Sequence, residues 1–225
     1  MKNLITIGLP SKGRLKDKSV VFFDERGLKI LQSKKERNYF ASIENKPNIK
    51  IIYLHAKEII QRLGDGTLDL GISGLDLLNE SEKNLQNKIR IKQKLDFGEA
   101  NLVVAVPDDW IDVQTVADLE EVAFDIRLKR NERLRVATKY PNLTNNFLIS
   151  KGVTQYKLIS SLGATETYPF IGSSEIITDI TSTGKTLEDN NLRVLKDGLI
   201  LKSTACLFIA KIKAANLQHF LNSFD

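Results

Sequence analysis

The chain has 225 residues, enough for one large or two small domains with a buried core. Its single cysteine, Cys206, excludes an intramolecular disulfide and a cysteine-rich zinc site. A net charge of +5 suits an anionic small molecule or a nucleic acid without deciding between them. No secretory signal is recognisable and no apolar run approaches membrane-spanning length, so we expect a cytoplasmic protein without a membrane partner.

The first predicted unit is a buried strand over residues 3–9, a loop over 10–14 and a helix over 15–25. Lys12, Gly13 and Arg14 occupy the loop. Loops at the carboxyl ends of strands bind ligands in open α/β sheets. The loop therefore predicts an anion contact, although exposed surface charge would give the same residues.

The strand–helix alternation continues. Strands are predicted over residues 49–54 and 67–72, each followed by a helix, with Ser73 and Gly74 opening the loop after the second strand. This order predicts a mostly parallel sheet. His55 stands alone, and the chain has two histidines and no nucleophile elbow, which argues against a hydrolase triad.

The long apolar strand over residues 101–107 predicts the crossing into a second domain. In that domain we expect one helix over residues 116–129, a second that begins with Asn142 as its N-cap, and a third that begins at Gly163. We expect strands over residues 134–138, 156–159 and 175–177. A cluster of arginines and lysine over 127–135 is interpreted as a solvated face. Strands over 192–194 and 199–209 and a helix over 214–224 are expected to return to the first domain. We therefore expect domains at 1–102 plus 192–225 and at 103–191, with a cleft between two lobes.

The most informative loop follows the strand ending near Thr178. It combines an acid, hydroxyls, a glycine and a lysine: Asp179, Thr181, Ser182, Thr183, Gly184, Lys185 and Thr186. Unpaired backbone N–H groups at a helix start, with hydroxyl donors beside them, favour a phosphate. Gly184-Lys185-Thr186 matches the end of a Walker loop, but that motif needs glycine at position 179. A turn built from ordinary turn formers is the alternative.

Taken in order, several stretches resemble the ATP phosphoribosyltransferase family, the first enzymes of histidine biosynthesis. They are residues 9–15, 65–74, 95–98, 135–144, 161–166 and 179–187. The resemblance covers essentially the whole chain. It implies an α/β fold of two lobes, each a parallel or mixed sheet with flanking helices, like type II periplasmic binding proteins. It implies condensation of ATP with phosphoribosyl pyrophosphate (PRPP), with Mg2+ as cofactor carried by the pyrophosphate and no directly assigned protein ligand.

The resemblance also implies site roles. The PRPP side carries Asp179, Thr181, Ser182, Thr183, Gly184, Lys185, Thr186 and Glu166, with Asp179 facing the ribose hydroxyls. The ATP and pyrophosphate side carries Lys12, Gly13, Arg14, Arg37, Lys57, Ser73 and Gly74. The family often has arginine where this chain has His55, so Lys57 is expected to serve there instead. No acid–base dyad is needed, because the adenine N1 is itself a usable nucleophile.

The chain ends before the regulatory domain of the long-form members, so it resembles the short form. That resemblance implies a regulatory subunit related to histidyl-tRNA synthetase and a hetero-oligomer built on a dimer of catalytic chains. One rival interpretation is a cytosolic small-anion-binding protein of the same fold without catalysis. Another is a nucleic-acid-binding module. Only the net charge supports this interpretation, and the sequence lacks an aromatic strand that could bind bases.

Overall fold

The computed structural model describes residues 4–32 and 39–224, which form two compact units. The first unit runs to Gly98 and resumes at Thr204, and the second spans Glu99–Ser203. None of the described helices combines the length and the apolar character needed to cross a bilayer.

The first unit is a sheet of seven strands in the described residues, in the order β2-β3-β4-β1-β5-β12-β6. The strands are β1 (Ile5–Pro10), β2 (Ile30–Gln32), β3 (Phe40–Ile43), β4 (Lys46–Leu54), β5 (Leu70–Gly74), β6 (Ile89–Lys94) and β12 (Ala205–Ala210). The helices are α1 (Gly13–Asp24), α2 (Ala56–Gly64), α3 (Leu75–Glu80), α4 (Lys83–Gln86) and α8 (Ala214–Leu221). Strand β1 lies parallel to both β4 and β5, as the βαβ order predicts.

Both faces of this sheet are buried. One core contains aromatic side chains from α1 and the C-terminal segment, with the rings of Phe22 and Phe224 stacked at 5.9 Å. The opposite face packs against α2 through Ile59 and Leu63. A Cβ atom at Gly71 would lie 2.5 Å from Ile59 Cγ2, so glycine lets α2 approach the sheet closely.

The second unit is a five-stranded sheet in the order β11-β7-β10-β8-β9. Its strands are β7 (Ala100–Pro107), β8 (Leu134–Thr138), β9 (Tyr156–Ser160), β10 (Ile176–Thr181) and β11 (Leu192–Ser203). Its helices are α5 (Asp118–Arg130), α6 (Pro141–Ser150) and the short α7 (Lys185–Glu188). Strands β8, β9 and β10 are parallel, whereas β7 runs antiparallel to β10.

The pairing of strand β11 places the second boundary between the units after Ser203. Residues 199–209 were expected to form one strand of the first domain. Instead β11 pairs antiparallel with β7 from Leu192 to Ser203, and the chain then passes through Thr204 into β12 of the other sheet. The units therefore divide at 98/99 and 203/204, where the sequence expectation was 102/103 and 191/192.

Two local expectations in the second unit are wrong. Helix α6 begins at Pro141, with Tyr140 in the N-cap position instead of Asn142, because proline is favoured at the first helical residue. The helix expected from Gly163 is only a 3₁₀ turn (Thr165–Thr167). Ala164, the residue before this turn, adopts a left-handed conformation with φ of 44°, so a right-handed helix cannot run from Gly163 through Ala164.

Candidate functional site

The carboxyl ends of β8, β9 and β10 lie at one edge of the second sheet, because these strands are parallel neighbours. The loops that follow them carry Lys139, the segment 161–166 and the segment 181–186. We call this edge the phosphate-loop edge. It brings together all the residues predicted for the PRPP side, with Glu166 in the 3₁₀ turn that contacts β10.

Asp179 is the most buried charged residue of this edge, at 8% exposure. Its Oδ1 accepts a hydrogen bond from the backbone N–H of Ile180 at 2.8 Å. Its Oδ2 lies 3.5 Å from Lys139 Nζ. Sequence reasoning left Lys139 without a role. The register aligns Thr138 with Thr178, so the residues that follow them are neighbours at the strand ends.

Three buried threonine hydroxyls lie directly behind this pair. Thr178 Oγ1 is 2.6 Å from the Oγ1 atoms of both Thr138 and Thr144, which are 3.1 Å from each other. Thr138 Oγ1 also accepts a hydrogen bond from the Tyr140 backbone N–H at 2.9 Å. A buried hydroxyl network of this kind fixes the ends of β8 and β10 against α6.

The loop after β10 is shaped by its own side chains. Gly184 has φ of +81°, a left-handed conformation that glycine adopts without steric cost. Its N–H donates to Thr181 Oγ1 at 2.9 Å, which closes the turn. The described hydrogen bonds leave the N–H groups of Ser182, Thr183 and Thr186 without a protein acceptor. These three donors remain available to an anion.

The loop side chains differ in how they are engaged. Ser182 Oγ donates to the Glu99 carbonyl at 3.2 Å, and Thr183 Oγ1 accepts from the Lys185 N–H at 3.4 Å. The exposed Thr186 hydroxyl and Lys185 ammonium have no protein partner among the described residues. These two groups are therefore the side-chain donors of the loop that remain available to a ligand.

A second group of predicted residues meets in the first unit. Strands β4, β1 and β5 are parallel neighbours, and their carboxyl ends share one edge of that sheet. The exposed Lys12, Gly13 and Arg14 follow β1, and Lys57 follows β4. Gly13 has φ of +73°, which allows the sharp turn into α1. The edge thus presents a backbone turn and three cations.

Other residues at this edge make contacts within the protein itself. Ser73 is fully buried and its hydroxyl donates to the Ala56 carbonyl at 2.8 Å. Gly74 lies against the Asp76 carboxylate, which leaves no space for a side chain. His55 is the N-cap of α2, with Nδ1 accepting from the Lys57 N–H at 3.2 Å. Arg37 lies outside the described residues.

The donor set of the described residues is poor in metal ligands. No group of three or more His, Cys, Asp or Glu side chains in residues 4–32 and 39–224 is arranged to hold a metal ion.

Comparison with known proteins agrees with these observations. The family model described as HisG, ATP phosphoribosyltransferase, matches residues 55–224. An ATP phosphoribosyltransferase from Brucella melitensis biotype 2 is 47% identical over 208 residues, which cover 92% of this chain and 90% of the relative. One from Chelativorans sp. is 48% identical over 210 residues, covering 93% and 91%.

Solved structures agree on the fold. A chain from the ATP phosphoribosyl transferase (HisG:HisZ) complex of Thermotoga maritima superposes with a TM-score of 0.75 and 23% identity, covering 98% of this chain and 96% of that one. The substrate-binding protein of an amino acid ABC transporter reaches a TM-score of 0.56 at 13% identity, covering 99% and 92%. The expected α/β fold, shared with periplasmic binding proteins, is confirmed. With a family model over most of its length and relatives near half-identity, the chain belongs to the ATP phosphoribosyltransferase family.

Proposed function

We propose that this chain condenses ATP with PRPP to give N1-(5-phosphoribosyl)-ATP and pyrophosphate, the first step of histidine biosynthesis, in the cytoplasm. The observation that supports this most is the 47% identity to an ATP phosphoribosyltransferase over 92% of the chain. The phosphate-loop edge and the cationic edge of the first unit give the activity a physical basis.

The reaction is a displacement at the anomeric carbon of PRPP. The lone pair of adenine N1 forms the new N–C bond, and the C–O bond to pyrophosphate breaks with its electrons leaving on the pyrophosphate. No protein group has to remove a proton for this step. The chain's work is therefore to position two highly charged substrates and to stabilise the leaving group.

The phosphate-loop edge suits the ribose 5-phosphate. The N–H groups of Ser182, Thr183 and Thr186 have no protein acceptor in the described structure, and the Thr186 hydroxyl adds a side-chain donor. Charge-assisted hydrogen bonds of this type are each worth about 1.5–3 kcal/mol. Asp179 accepts hydrogen bonds and so suits the ribose hydroxyls, with Lys139 holding its orientation.

The edge of the first unit suits the polyphosphate groups. Lys12, Arg14 and Lys57 are exposed cations beside the Gly13 turn. Arginine binds phosphate oxygens through two donors at once, whereas lysine acts as a point charge. In this proposal these residues hold the ATP phosphates and the departing pyrophosphate. The buried Ser73 hydroxyl shapes the loop, because it is already bonded to Ala56.

In this proposal Mg2+ binds to the chain together with PRPP, on the pyrophosphate group of that substrate. The described residues offer no cluster of three acidic or histidine ligands, whereas Mg2+ binds readily through substrate phosphates and retained waters. When bound to the pyrophosphate of PRPP, the ion neutralises charge on the leaving group. The substrate for this chain is therefore proposed to be Mg–PRPP.

We further propose a regulatory subunit related to histidyl-tRNA synthetase. It is supported by the likeness to a chain of a HisG:HisZ complex, which is matched over 96% of its length. The test is to mix purified chain, ATP and Mg–PRPP, with and without that subunit, and to follow the absorbance of phosphoribosyl-ATP. Activity enhanced by the subunit is expected. PRPP binding with no turnover in either mixture would favour a small-anion-binding protein instead.

A further inference from the structure

A cavity of about 640 Å³ lies within the second unit, away from the phosphate-loop edge. It is lined by residues after the carboxyl end of β7 and before the amino end of β10, including Trp110 and Glu175. Because β7 is antiparallel to β10, these ends share the sheet edge opposite to the phosphate loop. A strand of six residues separates the two edges by about 20 Å.

One wall of the cavity is apolar. Trp110 and Phe170 line it together with Pro107 and Pro169. Its volume lies in the range of about 300–1,000 Å³ typical of small-molecule sites. Aromatic side chains in such a wall favour a flat, apolar group on the ligand. A smaller cavity of about 260 Å³ shares Trp110 in its lining and adds Val122 and Ile126.

Charges of both signs accompany this wall. Arg130 lines the cavity and has no ion-pair partner among the described residues. Asp108 and Asp109 line it as well, also without a described partner. Arg135 already has protein partners. Its guanidinium binds Glu175 in a bidentate manner and donates to the Gly172 carbonyl at 2.9 Å. The basic cluster is therefore not one uniform solvated face.

A buried hydroxyl is the second observation that indicates a ligand. Ser174 lines the cavity at 2% exposure, and its Oγ has no hydrogen-bond partner in the described structure. Buried hydroxyls are nearly always bonded, because an unsatisfied one destabilises the fold. The Trp110 indole N–H likewise has no described acceptor. Ser174 therefore gives the lining a hydroxyl whose hydrogen-bonding capacity no described protein atom uses.

The geometry points to a second binding site here, for a small zwitterion that carries a planar apolar group, the chemistry of an aromatic amino acid. Its carboxylate pairs with Arg130, its ammonium pairs with Asp108 or Asp109, and its ring packs on Trp110. The site is independent of the proposed transferase reaction, since binding needs neither ATP nor PRPP.

Trp110 supplies the readout, because it is the only tryptophan of the chain. The probes are L-phenylalanine, 2-phenylethylamine, which lacks the carboxylate, and 3-phenylpropionate, which lacks the ammonium. L-Phenylalanine is expected to change the Trp110 emission and the single indole N–H resonance saturably, with a Kd of about 1 mM or tighter. Each truncated probe is expected to bind about tenfold more weakly, because it loses a charge-assisted hydrogen bond.

Variants assign the contacts. Arg130→Gln should weaken L-phenylalanine and 3-phenylpropionate about tenfold and leave 2-phenylethylamine unaffected. Arg133→Gln is the matched control, because Arg133 is an exposed arginine of the same cluster outside the cavity. Ser174→Ala should weaken L-phenylalanine binding several-fold without lowering the Tm, since it removes an unpartnered hydroxyl.

Three results would overturn the proposal. The first is the absence of a saturable change up to about 10 mM L-phenylalanine, a concentration well above the expected Kd. The second is equal binding of all three probes, which would mean that the charges recognise nothing. The third is an equal effect of Arg130→Gln and Arg133→Gln, which would mean that only the net charge of the surface matters.

Discussion

Lys139 and Asp179 face each other at the carboxyl ends of two neighbouring parallel strands, with Nζ 3.5 Å from Oδ2. The carboxylate is nearly buried, whereas the lysine side chain is 36% exposed. A backbone N–H holds the other carboxylate oxygen. The lysine thus helps to orient an acid that we propose to contact the ribose of PRPP.

Replacing Lys139 should therefore impair PRPP use more than stability. Lys139→Ala is expected to lower kcat/KM for PRPP about tenfold, the loss of roughly one charge-assisted interaction. The Tm should shift little, because a partly exposed ion pair contributes about 0–1 kcal/mol. Steady-state kinetics with PRPP as the varied substrate and thermal unfolding measure both effects.

The matched control is Lys129→Ala. Lys129 pairs with Asp125 at 2.6 Å on α5, and both side chains are well exposed. Its loss should leave the PRPP kinetics unchanged. Equal kinetic effects of the two substitutions would mean that Lys139 acts only through the net charge.

The loop after β10, which we propose to bind the 5-phosphate of PRPP, gives a second prediction. Thr186→Ala removes an exposed hydroxyl that has no described protein partner, so the fold should be unaffected. We expect the KM for PRPP to rise about tenfold while the KM for ATP stays constant. Ser150→Ala, which removes an exposed hydroxyl at the end of α6, is the control. An unchanged kcat/KM for PRPP in Thr186→Ala would remove the loop from the phosphate site.

The threonine network behind Asp179 predicts a stability effect. Thr144 is fully buried and bonded to both Thr138 and Thr178. Thr144→Val keeps the shape and deletes the hydroxyl, which should lower the free energy of unfolding by about 1–3 kcal/mol. Thr144→Ser keeps the hydroxyl and should cost less. Urea denaturation compares the two, and a greater loss in the serine variant would show that packing matters more than the network.

Cys206 predicts the alkaline dependence of stability. Burial raises the pKa of its thiol to about 11, whereas an unfolded cysteine titrates near pH 8.5. The folded state therefore disfavours the thiolate. The stability that this gives is complete below about pH 8.5 and is lost as the pH rises towards about 11.

Comparison with Cys206→Ala isolates this effect. Burial also raises the pKa of Tyr53 and of Tyr156, but both tyrosines are present in the two proteins and their contribution cancels. Urea unfolding across this pH range should give a shallower decline for Cys206→Ala than for the parent chain. Parallel declines would show that the thiol does not titrate differently on folding.

The order of strands and helices was enough to predict which loops share an edge. Alternating elements imply parallel neighbours, and the carboxyl ends of parallel neighbours meet. In the structure this rule places Lys12 and Lys57 at one edge of the first sheet, and Thr181 at one edge of the second. The roles expected for Lys57 and Glu166 came from the family resemblance. The rule does not predict the distances between these residues or their hydrogen bonds.

What the sequence left open depends on long-range register. Lys139 contacts Asp179 only because β8 aligns Thr138 with Thr178, forty residues away in the chain. The break at Thr204 depends on β11 finding β7, which no local pattern specifies. The cavity around Trp110 likewise forms where β7 ends beside the start of β10, so composition could suggest only a solvated basic cluster.

The most direct test of the proposed function is whether pyrophosphate release depends on both substrates. Purified chain with the proposed regulatory subunit would be given Mg–PRPP with and without ATP, and pyrophosphate and phosphoribosyl-ATP would be quantified together. We expect equal amounts of the two products, formed only when ATP is present, and a rate that falls about tenfold in Thr186→Ala at subsaturating PRPP. Tight binding of PRPP without pyrophosphate release in the presence of ATP would contradict the proposal.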